Sequence, residues 1–325
     1  MILSWAYLAD GTFLQEVPRA KFKELLSDEK NLLWVDFEDA TEDEISILRD
    51  DFKFHPLLID DCIASHSQPK IDEFEDYYFL VIHSCFFYTE KETEDALNIR
   101  ELDIFVGRNF VITFHRGHVR SVSTNRKRCE HGCQIMTKGS GFLLYHILDS
   151  LIDNYFPIMD TLSERLAKLE EDILTDPHPA LMAKMFSQRR NIVTLRKVVG
   201  PQREIIARFM RPGSPFISEE ARPYFKDIYD HIFRIYDITE MSRELIAQDM
   251  ESYISSINWR LNETMKTLTI IATFLLPIGT IASFYGMNVE IPEFKWGIWG
   301  YLFVCLWMAI ASVLTLFYFK KRRMI

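Results

Sequence analysis

Residues 267–287 read TLTIIATFLLPIGTIASFYGM, and residues 296–319 read WGIWGYLFVCLWMAIASVLTLFYF. Neither run holds a charge. At roughly 1.5 Å of rise per residue, each reaches about 30 Å or more as a helix, enough to cross a bilayer core. A pair of buried helices in a soluble core is the plain alternative, but core helices of this length rarely lack a polar face as these runs do. Lys266 stands before the first run, and Lys320, Lys321, Arg322 and Arg323 follow the second. Positive residues stay inside, so both termini are expected in the cytoplasm and residues 288–295 outside. That loop sets Glu290 and Glu293 against Lys295, an acidic mouth that suits cations. At the N-terminus Asp10 interrupts the only apolar candidate, so no signal peptide is expected.

The rest of the chain is different material. From Lys266 onward there are 6 basic and 2 acidic residues, +4, and the part before it carries 31 and 45, −14, within a total of −10 over 325 residues. The 48% hydrophobic content excludes a disordered chain and a mostly membrane-embedded one. The acidic first part argues against a nucleic-acid partner.

Residues 1–140 are expected to form a cytoplasmic α/β domain. Strand candidates are Ile2–Ala9, Leu32–Phe37, Tyr77–Phe87, Ile99–Val106 and Phe110–Phe114, with Gly107-Arg108-Asn109 turning the last two into a hairpin. Glu42–Phe52 and Pro56–Ala64 read as short helices. Residues 141–212 predict two long antiparallel helices, with Asp176-Pro177-His178-Pro179 as their turn. Residues 213–266 form a stalk that runs into the first span, residues 267–287. The loop 288–295, the second span 296–319 and a basic tail 320–325 complete the chain. Tyr224 to Leu276 holds no Gly and no Pro over 53 residues, about 80 Å as one helix. A mostly polar helix of that length needs neighbours, so self-association is expected. Glu251, Ile254, Asn258, Asn262, Met265, Ala272, Leu276, Gly279 and Ser283 recur every three or four residues and stack along one side. A helix-packing seam would show the same spacing, and both readings hold if the helices form a ring.

Tyr285-Gly286-Met287-Asn288, at the outer end of the first of two C-terminal spans, resembles the signature of the CorA-type magnesium transporter family. The preceding Asn262-Glu263-Thr264-Met265-Lys266-Thr267-Leu268-Thr269-Ile270-Ile271-Ala272-Thr273 is similar to the family's approach to that span, and Pro277 and the basic tail fit too. Upstream, Phe54-His55-Pro56-Leu57, Asp60-Asp61, Pro69-Lys70, Leu195-Arg196-Lys197 and Tyr224–His231 are also similar. The resemblance covers nearly the whole chain, least over the first thirty residues. It implies a funnel-shaped homopentamer in the cell (inner) membrane. Five long helices would line the ion path with the second span outside them, and divalent cations would move inward, chiefly Mg2+, with cobalt and nickel as lesser substrates.

Magnesium holds six oxygens in a tight octahedron and gives up water reluctantly. The first span offers no Asp or Glu, so the ion is expected to pass hydrated. A ring of Asn288 amide oxygens accepts hydrogen bonds from its waters without a trapping charge. Gly286 allows a close turn at the helix end, and Met287 holds the loop; together the three make the selectivity filter. A helix C-cap is the plain alternative for Asn288. Met265, Leu268 and Leu276 would form apolar collars that close a path by expelling water. By resemblance Leu268 and Leu276 line the gate, Asn262 gives a polar ring, and Glu251 matches an acidic position at the cytoplasmic end of the pore. Gly279 stands where the family often has a pore-lining Thr, and the external loop is one residue shorter than in a well-known branch. Asp61 and Asp227 fall on the family's pattern for an intersubunit regulatory Mg2+ site, with Asp60 and His231 nearby. Carboxylates from two protomers repel unless a cation lies between them. Loss of internal magnesium would therefore loosen the assembly.

No catalytic cofactor and no enzyme activity are expected, since no nucleophile and base constellation stands out. A divalent ion gains roughly 4.6 kcal/mol per 100 mV of membrane potential. The five cysteines show no paired framework, and Cys129-Glu130-His131-Gly132-Cys133 is not a usual four-ligand spacing. A zinc transporter of the same architecture and a membrane-anchored sensor or scaffold that conducts nothing are the alternatives.

Overall fold

The computed structural model describes residues 1–65, 67–87, 96–132, 134–288 and 292–321. Glu290 of the expected mouth, Arg322 and Arg323 of the tail, and Cys133 lie outside the described residues. The chain divides into two units, residues 1–250 and 251–325.

The first unit is built on a seven-stranded sheet: β1 (Ile2–Tyr7), β2 (Phe13–Gln15), β3 (Leu32–Glu38), β4 (Lys70–Glu73), β5 (Tyr77–Phe87), β6 (Leu97–Gly107) and β7 (Phe110–His115). Their order across the sheet is β2-β1-β3-β7-β6-β5-β4. All pairs are antiparallel except β3 and β7, which run parallel from Leu33↔Phe110 to Glu38↔His115. The helices are α1 (Phe22–Leu26), α2 (Glu42–Asp50), α3 (Pro56–Ala64), α4 (Arg120–His131), α5 (Ser140–Asp153), α6 (Tyr155–Thr175), α7 (Pro179–Phe209) and α8 (Arg222–Tyr285), which continues into the second unit; α9 (Ile298–Lys321) closes the chain.

Side chains alternate across a strand, and the two faces bury separate cores. Tyr78, Leu80 and Ile82 join Leu102, Ile104 and Val106 on the face covered by α4 to α7 and the start of α8. Tyr77, Phe79 and Val81 join Phe105, Val35 and Phe37 on the face covered by α1 to α3. The five expected strands appear at or within two residues of their expected ends. β2 and β4 were not anticipated; they are short, half-exposed edge strands without the alternation that marks a half-buried strand. The polar helix α4 was also unanticipated.

Local chemistry sets the helix ends. Thr41 and Glu44 form a reciprocal capping box that starts α2. Pro56 takes the first position of α3, and His55 Nδ1 accepts from Leu57 N. Residues 141–212 hold three helices rather than the expected two. α5 ends before Asn154, where Pro157 has no N–H to bond the Asp153 carbonyl. α6 and α7 follow as the expected hairpin across residues 176–178.

One charge network is sealed inside. Asp36 is fully buried; it accepts from Thr113 Oγ1 at 2.5 Å and from Arg126 of α4, and His115 Nε2 lies 3.4 Å away. Arg126 Nη1 also donates to Glu38 at 2.6 Å. Trp34 Nε1 donates to the same Thr113 hydroxyl at 3.1 Å. The network ties β3, β7 and α4 together.

The second unit holds the remainder of α8, a short 3-10 turn (Pro292–Trp296) and α9. α8 and α9 each contain a window long and apolar enough to cross a membrane, with none of the first buried and 11% of the second. In water such surface would be costly at roughly 25 cal/mol per Å2; lipid or other copies of the chain must cover it.

Candidate functional site

Several hydroxyls along the first span and its approach are absorbed by the helix's own backbone, while Thr273 and Ser283 are exposed without a partner among the described residues. Thr264, Thr267, Thr269 and Thr280 each donate to the carbonyl four residues earlier, at 2.7–3.0 Å. Pro277 lies inside the helix, as membrane helices allow. Asn262, Met265, Leu268, Leu276 and Gly279 are all exposed, and so is Glu251. A Cβ on Gly279 would meet nothing within 4 Å. These positions share one helical face by their spacing.

Helix α8 ends at Tyr285. The Gly286 N–H reaches the Ala282 carbonyl at 2.9 Å and that of Met287 reaches Phe284 at 3.4 Å. A Cβ on Gly286 would lie 3.1 Å from the Ala282 carbonyl oxygen, so close approach, not a left-handed backbone, is what favours glycine here. Asn288 stands three residues past the helix end, exposed, and its side chain makes no hydrogen bond among the described residues. The amide is therefore not spent on capping. Glu293 sits in the short turn, and its Oε2 is screened from solvent without a partner among the described residues.

A second constellation lies in the first unit. Asp227 and His231, one turn apart on α8, meet Asp149 of α5, and one ligand atom from each lies within 4.8 Å of the others. His231 Nδ1 also stands 3.6 Å from Asp153 Oδ1, and its ring packs edge-on to Phe156 at 5.6 Å. Burial, with Asp153 next, raises the Asp149 carboxyl above its ordinary value. Burial and then Asp149 raise the Tyr145 phenol likewise. Nearby His146 is driven down to about 4 by burial first and by Arg128 and Lys138 after it, so it is neutral at pH 7. Crowded carboxylates of this kind gain from a shared cation. Two carboxylates plus water suit Mg2+, and the imidazole adds a ligand that Co2+ or Ni2+ favours.

The expected regulatory set is thus divided within one chain. Asp227 and His231 come together, and Asp149, which the sequence reading did not single out, completes the trio. Its signal was present: Asp149 and Asp153 sit one turn apart on a largely apolar helix. Asp60 and Asp61 belong to α3, where Asp61 Oδ2 pairs with Lys70 Nζ at 2.6 Å and the same ammonium holds Asp72 at 2.9 Å.

Residues 29–321 match the family model described as CorA-like Mg2+ transporter protein. YfjQ of Bacillus subtilis is 36% identical over 290 residues, 89% of this chain and 88% of that protein. The cobalt/magnesium transport protein CorA of Thermotoga maritima is 35% identical over 275 residues, 84% of this chain and 77% of that protein. The solved CorA magnesium transporter of Methanocaldococcus jannaschii superposes with a TM-score of 0.82 at 23% identity, covering 98% of this chain and 97% of that one. It shares the soluble α/β part, the long helix and the two apolar C-terminal helices. The family is one of ion transporters and not of enzymes, and its architecture with these two helices makes this a two-span membrane protein. A match across nine-tenths of its length, carried by sequence and by fold alike, places the chain in the CorA-like Mg2+ transporter family.

Proposed function

We propose that the chain carries Mg2+, with Co2+ and Ni2+ as lesser substrates, inward across the cell membrane as a homopentamer with both termini in the cytoplasm. The observation that carries this reading is the 35% identity, over 84% of the chain, to a cobalt/magnesium transport protein. The ion passes hydrated, because the first span supplies no carboxylate and the hydroxyls of Thr267, Thr269 and Thr280 are turned to the backbone. Gly286, Met287 and Asn288 form the filter, Glu290 and Glu293 the acidic mouth, and Leu268 and Leu276 the gate, with Asn262, Met265, Gly279 and Glu251 along the same face. Flux of Mg2+, Co2+, Ni2+ and Zn2+ into liposomes holding the purified protein tests it. Mg2+ uptake is expected under a negative interior potential; zinc flux that exceeds it, or no flux at all, would replace the reading.

Internal Mg2+ acts as the regulatory ligand in this reading. The trio of Asp149, Asp227 and His231 supports a cation between acidic helices, and Asp61 and Asp60 serve the neighbouring protomer. A ligand shifts a two-state assembly only by binding one state better. Replacing Asp227 by Ala is expected to move the midpoint of inhibition by internal Mg2+ upward by at least about fivefold, the lower end of ordinary coupling between sites. An inhibition curve that superimposes on the wild type would place the sensor elsewhere.

A further inference from the structure

On the face of the sheet that α6 covers lies an open cavity of about 480 Å3, in the size range of small-ligand sites. Its lining includes Arg100, His118 and Arg120 and, among the described residues, no carboxylate. In an acidic chain with 47 Asp and Glu residues, two arginines on one cavity with no acid among its described lining is an unusual arrangement. Arg100 lies over the Phe86 ring at 4.6 Å and gives one N–H to the His118 carbonyl. Among the described residues its remaining donors and its charge have no anionic partner. Arg120 makes no hydrogen bond or ion pair through its side chain among the described residues.

Ser84 supplies an independent sign. It is register partner to Arg100, lines the same cavity, and is 7% exposed, yet its hydroxyl has no hydrogen-bond partner among the described residues. A hydroxyl on the cavity wall without a protein partner is open to an acceptor that enters the cavity. Arg120 also opens α4, whose first turn has no acidic residue and whose Val119 cap offers no side-chain acceptor. The free N–H groups of that turn add positive potential to the cavity. Arginine forks, an imidazole and a hydroxyl donor around a shared space match the oxygens of a phosphate group.

We propose that this cavity binds the phosphate of a small phosphorylated molecule, with Arg100 and Arg120 as its charge partners and Ser84 as a hydroxyl donor. The proposal stands apart from the transport path and does not depend on it.

Calorimetric titration of the full-length protein in detergent, free of divalent cations, tests it with inorganic phosphate, ADP and adenosine. Phosphate or ADP is expected to bind and adenosine not to. Arg120→Glu, at an exposed position, is expected to weaken binding by at least about tenfold, the loss of a charged hydrogen bond. Thr161→Phe, which fills the cavity from α6, is expected to do the same without touching a cation. Binding of phosphate alone identifies the free ion as occupant; tighter binding of ADP identifies a nucleotide. Adenosine binding equal to ADP, no binding to the wild type, or binding that survives both substitutions would overturn the site and leave its arginines to the chain's own carboxylates.

Discussion

Replacing Asn288 by Ala is expected to lower Mg2+ uptake into liposomes by roughly tenfold or more, a rise in barrier of about 1.4 kcal/mol, while the assembly keeps its size. The expectation rests on what the first span lacks. Between Thr267 and Met287 there is no carboxylate, and the hydroxyls of Thr267, Thr269 and Thr280 bond their own helix. The exposed Asn288 amide, just past the helix end, is then free to accept from the waters of a hydrated ion. Losing one acceptor per subunit removes the whole ring at once. Asn288→Asp separates the filter from a packing role. A ring of carboxylates grips a divalent ion harder, so half-saturation should fall to lower Mg2+ and maximal flux should drop with slower release. Unchanged uptake by the Ala variant would sink the filter assignment, whatever the rest of the pore does.

The largest expected effect on stability belongs to Arg126→Met. It leaves Asp36, fully buried, and Glu38 without their shared guanidinium. Removing one partner of a buried ion pair costs about 3–5 kcal/mol, because the other charge stays inside uncompensated. In thermal unfolding of the detergent-solubilised protein this corresponds to a fall in midpoint on the order of 10 °C. The double variant Asp36→Asn with Arg126→Met removes the stranded charge and should recover much of the loss. A single variant that melts with the wild type would show that the pair contributes nothing to the first unit.

The two predictions differ in how far the sequence alone could reach them. The helix end at which Asn288 stands is legible because local rules govern it, whereas the filter role expected of Asn288 comes from the resemblance of Tyr285-Gly286-Met287-Asn288 to the family signature. An uncharged run of 21 residues has no stable place but an apolar medium, and the residue that ends it is read directly. The strands of the sheet were legible for a similar reason, since Tyr77–Phe87 and Phe110–Phe114 carry enough β-branched and aromatic residues to declare themselves. The Asp36–Arg126 pair was not legible. Its members are 90 positions apart, and Asp36 sits in a strand whose other residues say only that it is buried.

By itself, then, the sequence determined the two membrane helices, the uninterrupted helix that leads into the first of them and the α/β character of the remainder. Each follows from composition, period or the absence of Gly and Pro within a short window. Only the tertiary structure decided that β3 lies parallel beside β7, that Asp149 comes to Asp227 and His231, and that Asp61 is held by Lys70. Such meetings depend on the order in which strands and helices are laid side by side. Local backbone preference says nothing about that order, which follows from which apolar faces cover one another.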